Sequence, residues 1–132
     1  AVFTAAVADY RPKEVAENKI KKQDNSLEIV LVKNVDIASE FGKIKRSDQI
    51  SVGFALETEN ELNFALDKLK TKNFDFIVLN STRDENATFG FDTNKIKIVR
   101  KDGKVLPFEL KTKVDVANDI VNEIVNQINA KI

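Results

Sequence analysis

Ile50-Ser51-Val52-Gly53-Phe54-Ala55, then a polar opening at Glu57-Thr58, then Leu62, Ala65, Leu66 and Leu69 at helical intervals, then Phe74-Asp75-Phe76-Ile77-Val78-Leu79-Asn80: the fold is decided in this stretch. The two outer runs are short, nearly continuously apolar and rich in β-branched and aromatic residues, which reads as strands covered on both faces. Between them Thr58 and Glu61 have capping-box spacing, so a helix begins there and ends near Lys72-Asn73. Strand, helix and strand in this order predict a parallel pair with a crossover helix.

The same alternation extends in both directions. Ala1 to Ala8 (Ala-Val-Phe-Thr-Ala-Ala-Val-Ala) reads as a buried strand, and Leu27 to Val32 is a β-rich run behind the turn residues Asp24-Asn25-Ser26. A helix is expected from Asp36 to about Arg46, with Asn34 or Asp36 as its N-cap. Beyond Asn80 comes a polar loop, Ser81 to Phe91, carrying Gly90. Lys95 to Val99 alternates with period two, Asp102-Gly103 signals a two-residue hairpin turn, and Val105 to Leu110 returns. Thr112 and Asp115 then cap a long helix whose apolar face is predicted as Val114, Ala117, Ile120, Val121, Ile124, Val125 and Ile128. The expectation is one α/β domain over 1–132, a Rossmann-like parallel sheet with helices on both faces and a C-terminal antiparallel hairpin.

Composition narrows the chemistry. The 132 residues carry 21 Lys+Arg against 21 Asp+Glu, a net charge of zero, which argues against nucleic acid or an anionic membrane as the main partner. There is no Cys and no His. Disulfides, thiolate or imidazole zinc sites, cysteine nucleophiles and Ser-His-Asp arrangements are therefore excluded within these residues. Met is also absent, even at position 1, and the chain opens on an apolar run with no basic leader. That run is far shorter than the roughly 20 residues that span a bilayer. The expectation is a piece of a longer cytoplasmic protein, truncated at its N-terminus.

Open α/β sheets bind ligands beyond the carboxyl ends of their strands. No Gly-x-Gly-x-x-Gly or phosphate-loop Gly-Lys-Ser/Thr occurs, so side chains must supply any nucleotide contacts here. Ala5-Ala6-Val7-Ala8-Asp9 offers small residues for close approach of a ring and a carboxylate for a ribose hydroxyl or base amine, or else a tight helix contact and a capped turn. Lys19-Ile20-Lys21-Lys22 supplies cations for a polyphosphate, or a solvated face. Gly53 permits close backbone approach, and Phe54 can stack on a base or pack in the core. Lys68 and Lys72 lie one turn apart, and Asp36-Ile37-Ala38 opens a helix with free amides.

Taken in order, these segments resemble one family. Ala5 to Pro12 (Ala-Ala-Val-Ala-Asp-Tyr-Arg-Pro), Lys19-Ile20-Lys21-Lys22, Val32-Lys33-Asn34-x-Asp36-Ile37, Gly53-Phe54-Ala55-x-Glu57-Thr58, Lys68-x-x-x-Lys72-Asn73 and Gly90-Phe91 resemble phosphopantothenate–cysteine ligase. That enzyme is the C-terminal half of the bacterial bifunctional coenzyme A biosynthesis flavoprotein. The resemblance implies that CTP activates 4′-phosphopantothenate as an acyl-cytidylate and that L-cysteine then displaces CMP. It implies Phe3, Thr4, Ala5 and Asp9 around cytidine, and Lys19 as the catalytic cation at the triphosphate. Val35, Asp36, Ile37 and Ala38 would lie beside the nucleotide, with Phe54, Lys68 and Lys72 as the remaining contacts. It further implies Mg2+ carried by the phosphates, a homodimer, and FMN confined to a decarboxylase half that this chain lacks.

One departure is visible: the family commonly has Asn-Pro-Asp-Ile where this chain has Asn34-Val35-Asp36-Ile37. The family's Gly-rich stretch and its acyl-handling Asn would lie upstream of Ala1, so the piece alone is expected to be inactive. Two other readings stand beside it: a non-catalytic nucleotide-binding or dimerisation module, and an ATP-using ligase of the eukaryotic type.

Overall fold

In the computed structural model, which describes residues 1–20, 27–57, 61–81 and 92–131, nine strands and three helices are defined. In chain order they are β1 (Val2–Phe3), β2 (Tyr10–Pro12), β3 (Leu31–Lys33), α1 (Ile37–Ile44), β4 (Val52–Glu57) and α2 (Glu61–Thr71). Then follow β5 (Phe76–Ser81), β6 (Thr93–Asn94), β7 (Ile96–Arg100), β8 (Val105–Pro107), β9 (Lys111–Thr112) and α3 (Lys113–Asn129). The predicted strand–helix–strand unit is the centre of the molecule. β4 and β5 run parallel in register from Val52↔Phe76 to Glu57↔Ser81.

They belong to a five-stranded sheet of order β1-β4-β5-β7-β8. β1 is parallel to β4, whereas β7 and β8 are antiparallel to their neighbours. Because side chains alternate along β4, β5 and β7, the sheet has two apolar faces. On one, Val52, Phe76, Val78, Ile96 and Ile98 meet Val116 and Ile120 of α3. On the other, Ala55, Ile77, Leu79 and Val99 meet Ala65 and Leu69 of α2, with Ala38 of α1 packed against them. The expected mixed α/β sheet with helices on both faces is present.

Helix ends follow the sequence closely. Asp36 caps α1 by accepting from the Ser39 N–H at 3.0 Å; Asn34, the alternative, does not. Thr112 caps α3 through the Asp115 N–H, and its hydroxyl donates back to the Asp115 carboxylate at 2.7 Å. α2 closes with Phe74 N–H donating to Leu69 C=O and Asn73 N–H to Lys70 C=O, a Schellman pattern. Asn73 takes the left-handed conformation that this closure needs (φ 51°). Its side-chain amide also donates to Gly42 C=O at 2.8 Å. α1 comes so close at that point that a Cβ on Gly42 would lie 2.2 Å from the Lys72 carbonyl oxygen.

Four expectations are corrected. Ala1 to Ala8 is not a buried strand: pairing is limited to Val2 and Phe3, and Val2 and Val7 are exposed. β1 lies at one edge of the described sheet, and only Phe3 packs inward, against Phe41 and Phe74. Leu27 to Val32 does not enter the main sheet either. Only β3 forms, antiparallel to β2 in a separate exposed ribbon. A parallel neighbour in the main sheet would require a crossover connection, whereas β3 pairs antiparallel with β2, from Tyr10↔Lys33 to Pro12↔Leu31.

The hairpin turn is longer than expected by one residue. Arg100 N–H donates to Lys104 C=O, leaving Lys101, Asp102 and Gly103 in the loop, with Gly103 in the left-handed region (φ 86°). Finally, the buried face of α3 is Val116, Ile120 and Glu123, with Ile124 packed alongside, while Val114, Val121, Val125 and Ile128 are exposed. Glu123 is buried because Arg100 of β7 grips it with two bonds of 2.7 and 2.6 Å. The Thr58 cap, Lys21-Lys22, Asp24 to Ser26, and Gly90-Phe91 lie outside the described residues.

Candidate functional site

A cleft of about 610 Å3 opens beyond the end of β1, within the range of small-molecule sites. Its walls come from elements far apart in the sequence. One wall is the strand end and turn that follow β1, with Phe3, Thr4, Ala5, Val7, Ala8, Asp9 and Tyr10. A second is the entry to α1, from Lys33 and Asn34 through Val35, Asp36, Ile37 and Ala38. Gly53 and Phe54 of β4, Lys68 and Lys72 at the end of α2, and Phe74 complete it.

Of the residues singled out from sequence, Phe3, Thr4, Ala5, Asp9, Val35, Asp36, Ile37, Ala38, Phe54, Lys68 and Lys72 all line this one cleft. Lys19 does not: it is exposed, on the segment that leads from the β2–β3 ribbon toward residue 21. Gly53 does provide close approach, but the neighbour is protein. A Cβ there would lie 2.4 Å from the Phe74 ring. Phe54 is shared between the cleft wall and the α3 side of the core.

The cleft is electrostatically prepared. Lys72 Nζ lies 3.2 Å from Asp36 Oδ2, both side chains partly in water. Partial burial pushes the Asp36 carboxyl up, but the Ser39 N–H and the Lys72 ammonium outweigh it and hold the group below the usual carboxylate range. The Asp36 cap answers the positive end of α1, and Lys72 answers Asp36. An anion entering here would meet the ammonium groups of Lys68 and Lys72 and the helix start of α1, while the turn after β1 contributes Thr4, Ala5, Val7 and Ala8 together with Asp9.

Asn34, Lys33 and Tyr10 also line the cleft and were not singled out as site residues. For Asn34 the sequence signal is its place in Val32-Lys33-Asn34-x-Asp36-Ile37, beside its candidacy as the α1 N-cap. No group of three or more His, Cys, Asp or Glu among the described residues is placed to hold a metal ion. Among the same residues, no helix is long and apolar enough to cross a membrane.

Comparison with known proteins gives the same direction. A curated prokaryotic protein named cysteine/cysteine sulfinic acid decarboxylase is 49% identical over 119 residues, 90% of this chain and 33% of that protein. The coenzyme A biosynthesis bifunctional protein CoaBC of Bacillus subtilis is 45% identical over 116 residues, 88% of this chain and 28% of that protein. The chain thus spans a third or less of the length of these relatives. A crystal structure of the C-terminal domain of a CoaBC protein superimposes with a TM-score of 0.73 at 37% identity, covering 96% of this chain and 53% of that one. The family profile described as the DNA/pantothenate metabolism flavoprotein C-terminal domain matches residues 1–128, and the chain belongs to that family.

Proposed function

We propose that this chain forms the CTP-binding part of a phosphopantothenate–cysteine ligase acting in coenzyme A biosynthesis. The observation that carries the reading is the convergence on one cleft of Ala5, Asp9, the start of α1, Lys68 and Lys72. Relatives named CoaBC at 45% identity support the pathway.

In this reading a carboxylate oxygen of 4′-phosphopantothenate attacks the α-phosphorus of CTP. The bond to the β-phosphate oxygen breaks and pyrophosphate leaves. The L-cysteine amine then attacks the acyl carbon, CMP departs, and the amine loses a proton as the amide forms. Neither step needs a protein nucleophile or an imidazole, which accords with a chain lacking Cys and His. What the protein must provide is orientation of the nucleotide and fixed positive charge at its phosphates. Lys68 and Lys72 supply charge from α2, and Lys19 supplies more if its segment folds over the bound triphosphate. Mg2+ would arrive on the phosphate oxygens, neutralising charge as part of the nucleotide complex. Asp9 and the backbone of Thr4 and Ala5 would face the cytidine.

The active protein is a cytoplasmic homodimer in this reading. The test is a pyrophosphate-release assay on the full gene product with 4′-phosphopantothenate, L-cysteine and each nucleoside triphosphate in turn. Release that depends on cysteine and prefers CTP is expected. Turnover with ATP alone would replace CTP by the ATP-using alternative. Nucleotide binding without turnover would leave a non-catalytic module.

A further inference from the structure

We infer that Asn34 is a positioning residue that sets the spacing between the two walls of the cleft, and through it the affinity for the nucleoside end of the substrate. The inference rests on the CTP reading above and adds to it a residue that touches no reacting atom.

The geometry is specific. Asn34 sits where the β2–β3 ribbon joins the start of α1, and all of its polar reach is directed back across that joint. Its backbone N–H donates to Asp9 C=O at 2.8 Å. Its side-chain Nδ2 donates to Ala8 C=O at 2.7 Å, and its Oδ1 accepts from Arg11 Nη1 at 3.0 Å. The same Arg11 nitrogen donates to Lys33 C=O at 3.3 Å. A carbonyl on one side and a guanidinium on the other fix which way the amide faces, because the flipped form would oppose like groups at both contacts.

Asn34 thereby holds the turn bearing Asp9, and two residues later Asp36 caps α1 and meets Lys72. The wall expected to read the base and the wall carrying charge are joined at this residue, by its side chain to Ala8 and its backbone N–H to Asp9. Loss of the amide removes the side-chain ties to Ala8 and Arg11 and loosens the Ala8–Asp9 turn, which keeps its backbone bond from the Asn34 N–H, while leaving Lys68, Lys72 and the α1 cap in place.

The experiment is steady-state kinetics on the full gene product with CTP varied. Asn34→Ala removes two partly solvated hydrogen bonds, so the KM for CTP should rise roughly tenfold while kcat stays within about twofold. A residue that served stability alone would lower the active fraction, and so kcat, with KM unchanged. Arg11→Ala removes one of the two ties and should raise KM about threefold, with little further effect in the Asn34→Ala background. An unchanged KM in Asn34→Ala, or fully multiplicative effects of the two variants, would overturn the inference while the CTP reading stands. If Asn34→Ala does not fold, Arg11→Ala decides alone, and an unchanged KM there overturns it. Absence of CTP-dependent turnover in the unaltered protein would remove the reading itself, and this inference with it.

Discussion

Two aspartate–lysine pairs in this molecule look alike in a contact map and differ in everything that matters physically. At the start of β5, Asp75 is buried and surrounded by donors. It accepts from Lys45 Nζ at 2.7 Å, the Ser51 N–H at 2.8 Å and Lys131 Nζ at 2.9 Å. In the cleft, Asp36 holds Lys72 at 3.2 Å with both side chains substantially in water. In the first, Asp75 and Lys45 are both nearly out of water, with Lys131 closing the site from the surface, so removing Asp75 strands the Lys45 charge away from solvent. The second is screened and easily exchanged, so Lys72 can leave Asp36 for a ligand phosphate at small cost. Burial, more than distance, separates a structural ion pair from one available to a substrate.

Breaking the buried pair should have the largest effect. Asp75→Ala leaves Lys45 inside with no counter-charge and should cost about 3–5 kcal/mol, lowering the thermal midpoint by roughly 10–15 °C in calorimetry. A drop of only a degree or two would show that water reaches this network freely.

Acid titration sharpens the same contrast. Burial raises the Asp75 carboxyl, but Lys45, the Ser51 N–H and Lys131 together hold it below the ordinary carboxylate value. Glu123 is lowered likewise: burial acts upward, and Arg100 and Gln127 overcome it. For a depressed carboxyl, the unfolded chain takes up the proton first. The stabilisation is therefore complete above the unfolded pKa, near 4, and is lost as pH falls from there through the folded value. Circular dichroism between pH 7 and pH 2 should show stability declining below about pH 4, less steeply in Asp75→Asn than in the unaltered protein. Equal slopes would remove Asp75 from the acid transition.

The cleft pair should give the smallest stability effect. Lys72→Gln is expected to move the thermal midpoint by no more than about 2 °C, since the pair is half exposed. The same change should weaken CTP binding about tenfold in titration calorimetry, because a charged donor to phosphate is lost. A large stability loss with unchanged binding would reverse the roles assigned to the two pairs.

How much of this was readable beforehand depends on whether the deciding interaction was local. The β4–α2–β5 unit was legible because burial on both faces leaves a continuous apolar run, and because Asn73 is the kind of residue that ends a helix. The caps at Asp36 and Thr112 were legible for the same reason: the group and its partner lie three residues apart. The β2–β3 ribbon was not, since nothing in Leu27 to Val32 records which edge it joins. α3 misled by its richness in Val and Ile, which fit two overlapping stripes. The choice between them is made by Arg100, 23 residues from Glu123 in the chain. In the cleft, residue identity pointed to Lys68, Lys72 and Asp9, but not to Asn34, whose partners Ala8 and Arg11 lie across a fold in the chain.

Gly42 carries a last consequence. With no side chain between them, α1 and the closing turn of α2 touch backbone to backbone, and the Asn73 amide bolts the contact. Lys72 and the amides at the head of α1 therefore ride on a single stiff block. In the nucleotide-binding reading proposed above, cargo between them would meet that one block, and even a methyl group at position 42 would act as a wedge, prising the jaws apart at a distance from anything the cargo touches.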